Sequence, residues 1–199
     1  MYIGRNFAKG VFVVIGFCMT GSFCSFEKAF SVLEKLCSEY EVLPIMSENA
    51  YTLDTKFGTS QKQKERLSSL CKKDIIHTVP DAEPIGPSLI LDCLVVCPCT
   101  GNTLSKIACG ISDTPATMAI KAQLRNERPV LLALATNDGL SGSCQNIGKL
   151  LQKKNVFFVP FSQDSPFKKP RSLVCEFDKV HEALRYALEG KQLQPILAT

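Results

Sequence analysis

The chain has 199 residues, 45% of them hydrophobic and 21% charged, a size at which one compact α/β domain buries a full core and a composition far from disordered or fibrous chains. Its formal net charge of +4 is spread thinly, with lysine pairs at Lys72–Lys73, Lys153–Lys154 and Lys168–Lys169 and no long basic run, which argues against nucleic acid and fits an anionic small molecule or an acidic partner. No apolar stretch approaches the roughly 20 residues of a membrane span, so no membrane association is expected.

Arg5 and Lys9 precede the apolar run Val11 to Phe17 as they would in a secretory leader. That run is seven residues long and leads into the turn-like Met19-Thr20-Gly21-Ser22, so it reads as a first strand buried on both faces. Phe26, Ala29, Phe30, Leu33, Leu36 and Cys37 then recur at helical spacing, with Glu27, Lys28, Glu34, Lys35 and Glu39 opposite. Val42 to Met46 reads as a second strand, the polar stretch to Thr59 as a long loop, Ser60 to Lys73 as a highly solvated helix and Ile75 to Thr78 as a short third strand. Pro80 to Pro87 is too proline-rich for regular structure and is expected to be a loop over the sheet edge.

A fourth buried strand follows at Cys93 to Cys97, then a loop at Pro98 to Thr103 and helical stretches to Cys109 and from Thr114 to Arg125. Val130 to Ala135 reads as a fifth strand, Thr136 to Gly142 as a loop opening a helix to about Lys154, Val156 to Pro160 as the last strand and Glu176 to Leu188 as the last helix. Alternating strands and helices imply an α/β fold: a single Rossmann-like domain over residues 1–199 with a parallel sheet of about six strands, helices on both faces and a tail from about residue 190. The ten cysteines are irregularly spaced and mostly in apolar elements, which points to thiols in a reducing cytosol.

Ligands of such sheets bind beyond the carboxyl ends of the strands. After strand one, Thr20-Gly21-Ser22 allows close backbone approach before a helix, although Gly-rich turns of this kind also occur with no ligand. After strand four, Pro98-Cys99-Thr100-Gly101-Asn102-Thr103 offers hydroxyls, an amide and free N–H groups for an anion, or merely helix caps. Asn137 in the turn after strand five and Ser47 after strand two complete the candidates. His77 and His181 lie outside these loops and read as structural; Cys93, Cys97 and Cys99 read as packing groups, with no metal expected. No residue is nominated as catalytic, so the chemistry is expected to come from a cofactor or a partner.

The stretch Pro98 to Asp113, together with Thr20-Gly21-Ser22, resembles the Pro-Ala-Ser-Ala-Asn-Thr motif and following helix of the FMN-dependent cysteine decarboxylase family of flavoproteins. That resemblance implies FMN held at the contacts of a homo-oligomer, a trimer or larger, and nominates Thr20, Gly21, Ser22, Ser47, Thr100, Asn102 and Thr103 as cofactor-binding residues, to which the same loops add Pro98, Gly101 and Asn137. Two departures stand against cysteine decarboxylation. Pro84-Ile85-Gly86-Pro87 replaces the region of the catalytic histidine, and Leu134 to Ser141 keeps only Asn137 of the substrate motif.

A fuller resemblance is to the B subunits of dipicolinate synthases, carried by Asp81 to Pro87, Pro98 to Thr103, Lys121 to Pro129 and Glu189 to Pro195 in the same order. It implies an oxidoreductase subunit of the mother-cell cytoplasm of a spore-forming bacterium, oxidising a dihydrodipicolinate-pathway intermediate to pyridine-2,6-dicarboxylate. Its partner would be the dehydrogenase-like A subunit of dipicolinate synthase, the better candidate to hold NAD(P). The alternative is a non-catalytic chain that stabilises or gates that dehydrogenase-like partner. Lys106, Arg125 and the helix amino ends are the sequence candidates for the substrate carboxylates.

Overall fold

A computed structural model describes residues 13–198; Arg5, Lys9 and the first two residues of the expected first strand, Val11 and Phe12, lie outside that range. Strand β1 (Val14–Met19) is buried from Ile15 onward because both its neighbours are strands and both faces carry helices. After a 3-10 turn, α1 (Phe26–Glu39) buries Phe26, Ala29, Phe30, Leu33 and Leu36 of the stripe read from the sequence, adds Val32 and leaves Cys37 half-buried. Each of the large side chains contributes about 2 kcal/mol of burial. Strand β2 (Glu41–Met46) pairs parallel with β1.

Three readings between β2 and the next strand need correction. The expected loop after Met46 contains a short helix, α2 (Glu48–Thr52), because Ser47 caps it by accepting from Ala50 N at 3.4 Å. Helix α3 (Ser60–Cys71) is solvated as expected, burying only Gln63, Leu67 and Cys71, but Ile75 to Thr78 forms no strand. Ile76 alone makes a parallel bridge to Ile45, since Thr78 already caps α4 (Val79–Ala82) by accepting from Asp81 N. Pro80 sits in the first turn of α4, where a missing N–H leaves no bond unmade, so part of the proline-rich loop is helical.

Strand β3 (Cys93–Cys99) is buried at every residue. Its pairing shifts register between Val96 and Cys99, an irregularity that accommodates Pro98, which has no N–H to give. Then follow α5 (Gly101–Ala108), α6 (Pro115–Arg125), β4 (Val130–Thr136), α7 (Cys144–Leu151) and β5 (Val156–Phe158). The chain does not stop making strands there. β6 (Phe161–Ser165) and β7 (Lys169–Cys175) form an antiparallel hairpin, and α8 (Val180–Leu188) closes the chain after a 3-10 turn at Phe177–Lys179.

The seven-stranded sheet runs β2-β1-β3-β4-β7-β6, with β5 also on β4. It is mostly parallel, and β7 is the exception on β4: β5 takes Val130 to Leu132 in parallel and β7 takes Ala135 and Thr136 antiparallel. Helix α1 packs on α8, and α5 on α6 and α7, giving helical layers around the sheet. The expected tail is docked rather than loose: the Gln192 amide accepts from Phe158 N at 2.8 Å and donates to Phe158 O at 2.6 Å, and Leu197 bridges Phe161. No helix among the described residues is long and apolar enough to cross a membrane.

Candidate functional site

The carboxyl ends of β1, β2, β3 and β4 converge, and the bonds that hold them together are long-range. Thr20 is fully buried; its hydroxyl donates to Pro98 O at 2.7 Å and accepts from Thr100 N at 3.0 Å. That side chain stitches the β1 loop to the β3 loop, so Thr20 and Pro98 form the floor beneath the site and do not line it. Ser47 is tied to the same floor through its N–H, which donates to Met19 O at 2.9 Å. Thr100 caps α5, accepting from Thr103 N at 3.3 Å while its hydroxyl donates to Thr103 Oγ1 at 3.1 Å. The capping role weighed for this loop is thus real for Thr100, whereas Asn102 and Thr103 lie in the first turn of the helix and border the smaller cleft described below.

Gly101 explains how closely α5 approaches β4. A Cβ there would lie 2.5 Å from Thr136 Oγ1, 2.7 Å from Asp138 Oδ1 and 2.9 Å from Ser143 Oγ. Those three groups form one knot, in which the Thr136 and Ser143 hydroxyls both donate to Asp138 Oδ1. Asn146 donates to Ser105 Oγ at 3.0 Å and fastens α7 to α5. The turn carrying Asn137 is therefore fixed against the amino end of α5.

Two clefts open on this surface. The larger, about 510 Å³, is bordered by Gly21, Ser22, Thr100, Gly101 and Asn137; the smaller, about 370 Å³, by Gly21, Ser47, Thr100, Asn102 and Thr103. Every nominated residue except Thr20 and Pro98 borders one of them, and Gly21 and Thr100 border both. The sequence reading missed the far wall of the larger cleft, which the hairpin supplies through Asp164, Lys169, Ser172, Leu173 and Val174, with Lys28 of α1 and Phe57 completing the rim. Nothing local in the hairpin sequence signals a site, because it reaches the cleft only by pairing with β4.

The charged groups sort differently from expectation. Lys106 borders the smaller cleft, but its ammonium is held by both oxygens of Asp113 at 2.8 and 2.9 Å, and that pairing keeps the Asp113 carboxyl below the usual carboxylate range. Arg125 borders neither cleft; it lies on α6, in a groove with Ile107 and Ile111. Lys28 and Lys169 are the cations of the larger cleft, and Lys169 pairs with Asp164 at 2.6 Å. His77 stacks on Tyr51 with ring centroids 3.9 Å apart, and His181 bonds Glu39 at 2.9 Å; neither borders these two clefts. Burial pushes the Cys99 thiol up to about 12 and drives Cys18 and Cys97 well above the ordinary thiol range. These groups stay protonated and pack. All ten cysteines are free, and Cys24 is the exposed one that borders the larger cleft.

The family model of flavoproteins matches residues 9–184. The chain belongs to the flavoprotein family. This flavoprotein is 44% identical to the dipicolinate synthase B subunit of Bacillus subtilis (strain 168) over 184 residues, which is 92% of each chain. The crystal structure of the dipicolinate synthase B subunit from Bacillus halodurans C matches with a TM-score of 0.86 at 38% identity, covering 94% of this chain and 96% of that one. The FMN-dependent cysteine decarboxylase SpaF matches with a TM-score of 0.66 at 20% identity, covering 89% and 95%. The likeness to dipicolinate synthase B subunits thus holds over nearly the whole flavoprotein chain, whereas the likeness to the decarboxylase is one of fold.

Proposed function

We propose that this chain is the flavin-holding B subunit of a dipicolinate synthase, forming pyridine-2,6-dicarboxylate from a dihydrodipicolinate-pathway intermediate during sporulation. It works with a dehydrogenase-like partner, the A subunit, which carries NAD(P). The observation that carries the reading is the pair of adjoining clefts meeting at Gly21 and Thr100. Their donor sets fit FMN. Around the smaller cleft, which Glu48 and the Asp113-bound Lys106 also border, the hydroxyls of Ser47, Thr100 and Thr103 and the Asn102 amide gather by the amino end of α5, a combination suited to a polyol chain and to a phosphate at the free N–H groups. The larger cleft sets Phe57, Leu173 and Val174 beside Ser22 and Asn137, a mixed wall suited to a flat polar ring.

Aromatisation of a dihydropyridine ring removes a hydride and a proton; a bound flavin would accept the hydride and the proton would pass to solvent, since no histidine borders either cleft. The chain's own residues do the rest. Asn137, in the turn fixed through the Asp138 knot, would orient a ring bound in the larger cleft; Leu173 and Val174 would exclude water from one side; Lys28, which has no ion-pair partner among the described residues, would meet a substrate carboxylate, while Lys169 is held by Asp164. A second reading, a non-catalytic flavoprotein-fold subunit that stabilises or gates its dehydrogenase-like partner, is favoured by the histidines, neither of which borders these clefts.

The test is an FMN titration followed by absorbance and flavin fluorescence, comparing the wild type with Thr100→Val, Asn102→Leu. Saturable binding is expected, weakened about tenfold or more in the double variant, the equivalent of one or two lost hydrogen bonds. Thr100→Ser keeps the cap and is expected to bind as the wild type. No binding at concentrations on the order of tens of micromolar, where a ligand held at about 7 kcal/mol would saturate, would sink the flavin reading and leave the gating one.

A further inference from the structure

The segment Lys121 to Pro129 has no part in either cleft. Lys121, Leu124 and Arg125 instead border a groove of about 330 Å³ between the carboxyl end of α5 and α6. Its floor is apolar, formed by Ile107, Ile111, Ile120 and Leu124, and Ile111 is 46% exposed. Its rim carries Lys121, Arg125 and Lys153, and no carboxylate borders it. The nearby acids are committed elsewhere, Asp113 to Lys106 and Glu127 to Lys154. Lys121 donates to Ser112 Oγ at 3.3 Å, and Arg125 and Lys153 have no ion-pair partner among the described residues.

We propose that this groove docks an acidic amphipathic segment of the dehydrogenase-like partner, its apolar side chains seated on Ile111 and the part-exposed Leu124 and its carboxylates on the three cations. The inference rests on the reading of the chain as one half of a two-component enzyme. Lys121 and Arg125 stand four residues apart on one face of α6, a like-charge spacing that costs the helix a few tenths of a kcal/mol until an outside anion neutralises it. An apolar floor that offers Ile111 to solvent inside a one-sign rim has the form of a groove that receives an amphipathic helix of opposite charge. A two-fold contact with a second copy of this chain fits poorly, because it would set the same three cations against their mates, and a head-to-tail contact in a ring is an outcome that sedimentation of the variants reads. The location joins docking to the site: α5 has eight residues, so a segment in this groove sits about 12 Å along the helix from the end whose cap, Thr100, borders both clefts.

The experiment measures association of the purified chain with the purified dehydrogenase-like partner by isothermal titration at low and high salt, using the wild type, Ile111→Ser and Lys121→Glu, Arg125→Glu. FMN titration of the same proteins reports separately on the flavin site. The double reversal is expected to weaken association about a hundredfold and the serine variant about tenfold, with FMN affinity unchanged and wild-type association weakened by salt. The neutral pair Lys121→Gln, Arg125→Gln, at helix positions on the rim, is expected to fall between and guards against a folding defect. Wild-type association in all three variants overturns the proposal, as does a wild type that does not bind the dehydrogenase-like partner. So does a result in which the variants lose only self-association in sedimentation. Loss of partner binding by the variants of a chain that never binds FMN would keep the docking surface and reject the flavin.

Discussion

Replacing Gly101 by alanine tests the tightest contact in the site. A methyl at this position meets Thr136 Oγ1, Asp138 Oδ1 and Ser143 Oγ at 2.5, 2.7 and 2.9 Å, and the two hydroxyls cannot simply rotate away because both donate to Asp138. Either α5 backs away from β4 or the hydrogen-bonded knot opens. Overpacking of this kind costs about 1–3 kcal/mol, and the gain in helix propensity at a first-turn position offsets only a few tenths. A net loss of about 2 kcal/mol follows, which in a chain of this size lowers Tm by roughly 4–8 °C. The control is Gly148→Ala in α7, where an added Cβ finds nothing within 4 Å; it should gain about 0.5–1 kcal/mol. The assay is urea and thermal unfolding of both variants, with FMN titration of each. If Gly101→Ala unfolds like the wild type, or if both alanines shift stability the same way, the close approach of α5 to the β4 turn is wrong.

Two further outcomes are expected. Thr20→Val keeps the volume but leaves Thr100 N without its acceptor and Pro98 O without its hydroxyl donor. It should cost about 1–3 kcal/mol in urea unfolding while Thr20→Ser costs little; equal stability of the two variants would mean that the stitch between the β1 and β3 loops contributes nothing. Brief alkylation with iodoacetamide at about pH 8, near the ordinary thiol range, read by mass spectrometry, should modify the exposed Cys24, Cys109 and Cys144 and spare Cys18, Cys93, Cys97 and Cys99. Cys99, at about 12, presents almost no thiolate at that pH, so its labelling as fast as Cys24 would contradict its burial.

Much of this architecture was legible because its signals are local. The i, i+3, i+4 spacing of Phe26, Phe30, Leu33 and Leu36 writes α1 into the chain, and the unbroken apolar runs of β1, β3 and β4 read as strands covered on both faces. The loops at Ser47, Thr100 to Thr103 and Asn137 follow from those strands, since a parallel sheet presents its carboxyl ends together. What the tertiary structure alone decided is whatever depends on a distant partner. The hairpin of β6 and β7 has prolines at 166 and 170 and a polar outer face, so it carries no strand run of its own and forms on the edge that β4 leaves free past Leu132. Helices α2 and α4 rest on single caps, Ser47 and Thr78, that also read as ordinary turn residues. Arg125 sits in the local pattern of α6, yet only the packing of α6 against α5 turns it toward a groove and away from the clefts. Thr20 is the sharpest case. Its sequence neighbours mark it as a ligand-loop hydroxyl, but its partners lie 78 and 80 residues away, and a hydroxyl bonded to them is buried beneath the site because the folded chain, not the local sequence, brings those backbone groups within reach.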